Sequence, residues 1–476
     1  MNSYFILGLI IELINIACAL SLVFIERREP ETTWAWLLIL IVLPGLGFLI
    51  YLALGQNLSR EKIFKEKTAI DVHKSKNLTE EFNISLHRNT SAKNYTDLVK
   101  MNYNNSGSEF TRYNCVKTFI SGEDKFSNLL EDIEKAEKFI HIEYYIFRMD
   151  GLGRELISLL NKKVDDGVEV RLLVDGMGSR GLRGKNEEYI KSLGIKFAIF
   201  FPGLTKLVNL RINYRNHRKI VVIDGTIGYV GGFNVGDEYI NKGKQFNFWR
   251  DTHLRIEGDA VKELNKRFAL DWDYAANDSI SQSEKYFPQT VNNGNVGIQI
   301  VSSGPDHIDE YIKYNYLKII TNAKKYIYIQ TPYLVLDRPM IEALKISALS
   351  GVDIRIIVPG SPDHFFMEWA LSANIGNLIE CGIKFYRYQN GFIHSKTIVA
   401  DDSVCSVGTA NLDIRSFKLN FEINAIIYDD IISMQHKDIF ISDQKKCQFL
   451  TIEKYNNRST WYKICESIIR LISPIL

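Results

Sequence analysis

The stretch HRKIVVIDGTIGYVGGFN (217–234) returns as HSKTIVADDSVCSVGTAN (394–411), 177 positions on and without a gap. His217 and His394, Lys219 and Lys396, Asp224 and Asp401, Gly231 and Gly408, and Asn234 and Asn411 occupy matched places. Each copy reads as a β-hairpin: an apolar, β-branched run, a turn at Asp224-Gly225 or Asp401-Asp402, then a second run. Strand side chains alternate faces, so His217 shares a face with Lys219, and His394 with Lys396. Folding about the turn sets Gly232 roughly opposite His217 and brings Asn234 to the same patch. The second copy gathers Thr409 and Asn411 in the same way. An imidazole, an ammonium and an amide then meet where glycine permits close approach, which suits a phosphate. Asp224 lies seven residues beyond His217, about 23 Å along a strand at roughly 3.3 Å per residue, and on the opposite face. Asp224 and Asp401 complete the motif and count among its candidate catalytic residues, with a turn-forming or orienting role favoured over direct catalysis. A lone His-x-Lys usually marks a buried histidine beside a snorkelling lysine. Two copies in register instead point to one active site built from two halves.

Both copies match the His-x-Lys-x4-Asp motif of the phospholipase D superfamily, and the chain resembles its bacterial cardiolipin synthases. The likeness extends to REPETTWAWLLILIVLPGLGFLIYLALG (28–55), GGFNVGDEY (231–239), FWRDTHLRIEG (248–258), TANLDIRSFKLNFEIN (409–424) and the terminal RLISPIL. It implies an α/β fold of two pseudo-twofold-related halves with mixed sheets, behind a two-helix transmembrane hairpin. It also implies a phosphatidyltransferase that condenses two phosphatidylglycerol molecules into cardiolipin and glycerol through a covalent phosphohistidine. No metal and no other cofactor is expected. His217 is expected as nucleophile and His394 as acid/base, with Lys219, Lys396, Asn234, Asn411 and Thr409 around the phosphoryl charge. Glu422 in LNFEIN, with Asp251 in FWRDTH as its counterpart, is the candidate for orienting the imidazoles. Gly232 stands where Thr409 stands in the second copy, which suggests a weaker phosphate contact in the first half. His253, His307, His364 and Arg415 read as ordinary structural residues. The competing readings are another phosphodiesterase of the superfamily, a lipid hydrolase or nuclease, and a non-catalytic scaffold for anionic lipid.

The pattern along the chain agrees with a membrane-linked enzyme. Two apolar runs, Tyr4–Ile25 and Thr33–Leu54, are each about 22 residues, enough to cross a hydrocarbon core of roughly 30 Å. No basic residue precedes the first run and no small-residue cleavage site follows it, against a signal peptide. Glu12 and Asn15 are expected to face the second helix, Pro44 and Gly47 to bend it, and Trp34, Trp36 and Tyr51 to sit at interfaces. Arg60, Lys62, Lys65 and Lys67 after the pair outnumber Arg27 and Arg28 in its loop, favouring a cytoplasmic catalytic part at the cell membrane. Net charge is +2, so no overall basic field argues for nucleic acid. The six scattered cysteines lack metal-ligand spacing and read as free thiols.

The remaining division is hairpin 1–55, polar linker with exposed helices 56–115, first half 116–276, inter-half linker 277–295, second half 296–458 and an amphipathic helix 459–476. Strand–helix–strand order occurs twice, at KFIHIEYYIF through VEVRLLVDG (138–176) and at KKYIYIQTPYLV through VDIRIIVPG (324–360). Ile464, Ile468, Leu471 and Ile472 share one face of the last helix, which fits either packing on the core or lying in a membrane surface.

Overall fold

Continuous apolar runs such as FIHIEY and YIYIQ are what a sheet covered on both faces requires. The computed structural model describes residues 3–24, 30–51, 90–201, 213–289, 294–307, 309–362 and 365–472. In it, Phe139–Tyr144 and Tyr326–Gln330 are buried along their whole length. Each starts a β-α-β unit. Phe139–Tyr144 runs parallel to Glu169–Asp175 by way of helix Gly151–Asp165. Tyr326–Gln330 runs parallel to Asp353–Pro359 by way of helix Arg338–Leu349. Both helices start at an aspartate, Asp150 or Asp337, whose carboxylate accepts a backbone N–H of the first turn.

Among the described residues the two halves join in one mixed sheet of sixteen strands, fifteen in a row and Arg215–Asn216 paired off that row. From one edge inward come Lys196–Phe200, Glu169–Asp175, Phe139–Tyr144, Ile220–Ile223, Ile227–Gly231, His253–Gly258 and Phe110–Phe119. From the seam outward the corresponding order repeats: Val296–Ser303, Asn420–Tyr428, Val404–Gly408, Thr397–Ala400, Tyr326–Gln330, Asp353–Pro359 and Lys384–Tyr388, with Cys447–Leu450 at the edge. The seam is antiparallel, Phe110 facing Gln299. An order that reverses across an antiparallel seam is what a pseudo-twofold axis there produces.

The helix Thr96–Ser106, expected to be exposed in a polar linker, instead buries Leu98 and Val99 in the second half's core with Ile312 and Ile319. Its Asn102 donates to Gln299 on the seam at 2.9 Å. The boundary expected at 115 falls inside strand Phe110–Phe119. Within 277–295, Ile280 and Tyr286 are buried, and Tyr286 donates to Glu169 at 2.8 Å, so this connection packs on the first half. Most of 56–115, including Arg60, Lys62, Lys65 and Lys67, lies outside the described residues, as do Arg27, Arg28 and His364.

At the amino terminus, helix Ser3–Phe24 packs beside helix Pro30–Val42, and a third helix, Leu46–Ile50, follows. The second run breaks at Pro44-Gly45, where Gly45 has φ +83°. Its 13-residue helix spans about 20 Å at 1.5 Å per residue. Among the described residues no helix is long and apolar enough to cross a membrane. Trp36 and Tyr51, expected at interfaces, are buried edge to face against each other at 5.5 Å, while Trp34 is exposed. Glu12 is exposed rather than turned to the second helix.

The two motif hairpins turn where expected, but with one residue more. Ile220 pairs with Val230 and Thr397 with Val407, and the turns hold Asp224-Gly225-Thr226 and Asp401-Asp402-Ser403. His217 therefore does not face position 232, and the histidines lie just beyond the ladders. Asp224 and Asp401 adopt φ of +53° and +51°. Asp224 accepts backbone N–H groups of Glu137, Lys138 and Phe139 at 2.7–2.9 Å. Asp401 accepts those of Lys324, Lys325 and Tyr326 at 2.6–3.0 Å. Each carboxylate fastens the start of its half's first buried strand, and neither lines the cavity of the site. Asp224→Ala should lower the unfolding free energy by about 1–3 kcal/mol, because three donors lose their acceptor. Denaturant titration checks this, and the KM of the folded fraction should shift less than about threefold.

Candidate active site

Two short crossings carry the motif of each half onto the other. Arg215–Asn216, just before His217, pairs in parallel with Asn420–Phe421, just before Glu422. Phe392–Ile393, just before His394, pairs in parallel with Trp249–Arg250, just before Asp251. The backbone N–H of His217 donates to Phe421 O at 2.9 Å, and that of His394 to Arg250 O at 2.7 Å. These pairings bring each histidine to an acid of the opposite half. His217 Nδ1 lies 2.9 and 3.0 Å from the Glu422 carboxylate oxygens. His394 Nδ1 lies 2.7 Å from Asp251 Oδ2. Glu422 and Asp251 occupy equivalent places, two residues before Asn424 and His253, which face Gly408 and Gly231 across the sheet. A carboxylate at Nδ1 makes that nitrogen the donor and leaves Nε2 unprotonated in the neutral ring. Both rings line one cavity of about 610 Å³.

The electrostatics favour neutral imidazoles facing ionised carboxylates. Burial pushes His217 down to about 4, against the pull of Glu422 and with the help of Lys219. Burial and Lys396 push His394 down to about 4, against Asp251. Burial alone would raise the two acids. Instead His217 and Lys219 hold Glu422 below the usual carboxylate range, and Lys396 and His394 do the same for Asp251. Lys219 and Lys396 are buried beneath the rings, each donating to the carbonyl of its own histidine. Lys396 Nζ also stands 2.8 Å from His394 Nδ1. Burial lowers Lys219 to about 7.

Asn234 and Asn411 line the same cavity. Asn234 accepts the Ile146 N–H at 3.2 Å and donates to Tyr239 at 3.2 Å. Thr409 does not line the cavity; its hydroxyl donates to Ile423 O at 3.2 Å and accepts Ile423 N at 2.9 Å. It braces the strand that carries Glu422. The mismatch at 232 follows from the other acid. A Cβ on Gly232 would stand 1.9 Å from Asp251 Oδ1, so only glycine leaves room for that carboxylate.

Sequence reasoning passed over Tyr145, whose ring meets His217 edge-on at 4.9 Å, and Trp249, 5.2 Å from His394. It also passed over Arg215, and it took Arg415 for a structural residue; both line the cavity. Arg215 could have been found from the alternation that puts it on the face of His217 and Lys219. The intervening Asn216 and Arg218 indeed turn away, to Glu143 and Asp271.

A family model described as cardiolipin synthase, PLD-like domain matches residues 129–272 and 316–444. A second, described as phospholipase D-nuclease N-terminal, matches 13–56. The chain is 50% identical over 457 residues to a cardiolipin synthase of Clostridium perfringens, covering 95% of this chain and 96% of that one. The chain belongs to the cardiolipin synthase family. A cardiolipin synthase of Staphylococcus aureus is 48% identical over 486 residues, covering 100% of this chain and 97% of that one. The solved phosphatidylserine synthase of Haemophilus influenzae shares the fold, with a TM-score of 0.60 at 15% identity, over 81% of this chain and 98% of that one. Members of this family are phosphatidyltransferase enzymes.

Gly232→Thr copies the second half's residue into the first and should displace Asp251 from His394. Turnover of the folded protein should fall roughly 10²–10⁴-fold, the scale of losing an oriented acid–base group, and the melting temperature should drop as well, because a buried ion pair is broken. Near-normal turnover would contradict the steric reading.

Proposed function

We propose that this protein joins two phosphatidylglycerol molecules into cardiolipin, releasing glycerol, by two displacements at one phosphorus. The observation that carries this reading is the pair of imidazoles in one cavity, each oriented by a carboxylate of the other half. Nε2 of His217 attacks the donor phosphorus, and the departing glycerol oxygen takes a proton from His394. The negative phosphodiester, on arrival, favours the imidazolium form of His394 that this step needs. His394 then removes the proton of the second lipid's alcohol, whose oxygen displaces His217. Asn234 and Asn411 meet the phosphoryl oxygens from the cavity wall, while Lys219 and Lys396, buried behind the rings, add positive field. Glu422 and Asp251 hold the rings, while Asp224 and Asp401 hold the strands.

The protein works at the cell membrane, with its catalytic part cytoplasmic. Exposed Leu13, Ile16, Leu20 and Ile41 on the first two helices support this location, since such a surface needs an apolar surrounding. The last helix, Thr460–Ile472, adds support: it turns Trp461, Ile464, Ile468 and Leu471 outward while Cys465 packs inward. Its apolar stripe thus faces away from the core, as in a helix lying in a membrane surface. Phosphatidylglycerol and the bilayer are the partners; a net charge of +2 gives no field for nucleic acid.

Purified protein incubated with phosphatidylglycerol and a chelator should yield cardiolipin and glycerol at the chelator-free rate. The kcat/KM should rise towards pH 4 as the nucleophilic His217 loses its proton, and decline above it as free His394 loses the proton that the first step needs. The decline should steepen above about pH 7 as Lys219 loses its charge. Phosphatidic acid as the main product, or inhibition by the chelator, would overturn this reading.

A further inference from the structure

In the segments around the two motifs, each position has a mate 177 residues away. Arg215 corresponds to Phe392, and Arg415 to Glu238. Arg215 is buried, on the same strand face as His217. Arg415 reaches it from the second half, its Nη2 donating to Asn213 O at 3.1 Å, two residues before Arg215. The other end of the cavity has the opposite character. Phe392 is buried against Phe246 at 4.8 Å and Trp249 at 5.1 Å, and Glu238 pairs with Arg148 at 2.8 Å. The imidazoles, lysines and amides obey the pseudo-twofold; the ends of the cavity do not. One end gathers two guanidiniums with Asp413 in the wall beside them, and the other is aromatic with the Arg148–Glu238 pair.

Asp175 offsets part of the charge of Arg215, while Arg415 beside it repels in a partly desolvated wall, and a bound anion relieves this repulsion through charge-assisted hydrogen bonds. The reacting phosphorus is already served by the symmetric centre. On the transferase reading, on which this inference rests, one other anion enters: the phosphodiester that the acceptor lipid itself carries. We propose that Arg215 and Arg415 form a subsite for this second phosphodiester, aiming the acceptor's free hydroxyl at the phosphohistidine. In that step the acceptor O–P bond forms, the His N–P bond breaks, and the hydroxyl proton passes to the other imidazole. The departing neutral glycerol leaves by the end holding Glu238, whose carboxylate accepts hydroxyl donors. Two chemically different ends explain how one site takes two copies of one lipid in different roles.

The test partitions a common phosphatidyl-enzyme between two soluble acceptors. Full-length protein with phosphatidylglycerol as donor is offered equimolar glycerophosphoglycerol, a phosphodiester alcohol, and deuterated glycerol, a neutral one. Products are separated by mass. Because both acceptors meet the same intermediate, the product ratio is independent of the first step. Wild type should favour the phosphodiester alcohol. Arg415→Gln should lower the ratio at least tenfold, and Arg415→Lys should restore part of it. An unchanged ratio in Arg415→Gln and in Arg215→Lys, with transfer to glycerol continuing, overturns the subsite while leaving the transferase reading standing. Transfer to neither acceptor by wild type overturns both.

Discussion

Each catalytic imidazole is held by a carboxylate that belongs to the other half of the chain. His217 leans on Glu422 and His394 on Asp251, and two short parallel bridges bring the pairs together. Neither half alone contains an oriented imidazole. The antiparallel seam between Phe110–Phe119 and Val296–Ser303 fixes the distance over which these crossings reach, so the sheet and the site stand or fall together. The exchange also accounts for the one mismatch between the motif copies. Gly232 makes room for Asp251, whereas Thr409 braces the strand that carries Glu422.

Burial then sets the chemistry. Taken out of water, both imidazoles lie well below their ordinary range, and the carboxylates beside them stay ionised. Both rings are therefore poised as nucleophiles or bases before substrate arrives. An incoming phosphodiester adds the negative charge that makes an imidazolium affordable. The lysines beneath the rings serve a centre that is symmetric in charge. The asymmetry needed to tell donor from acceptor lies further out, in the arginines at one end and the aromatics and Glu238 at the other.

Much of this was legible in the sequence because duplication is local information. The repeat of His, Lys, Asp and Asn at one offset marked two halves and one site, and the strand–helix–strand order marked an α/β fold with mixed sheets. The seven-residue spacing ruled Asp224 out as a partner of its own histidine, and the aspartates do cap strands. What escaped depended on contacts between distant segments. A three-residue turn moved the hairpin register by one, which a two-residue reading could not foresee. The motif flanks pointed to Glu422 and Asp251 as the orienting acids, but which ring each serves across the seam is set by bridges only two residues long, too short to show as periodic pattern. Thr409 looked like a phosphate ligand because its hydroxyl fits that role. Its engagement with Ile423 backbone depends on which strand lies beside it. Trp36 and Tyr51 were read from amphipathic character alone, and tertiary packing buried them.

The most direct measurement is a crystal structure of the full-length protein with vanadate, a mimic of pentacoordinate phosphorus. The account predicts vanadium bonded to Nε2 of one histidine, with Nε2 of the other within hydrogen-bond distance of the opposite apical oxygen. Both Nδ1 atoms should still rest on Glu422 and Asp251. Vanadate held away from both rings, or rings oriented by acids of their own halves, would contradict it.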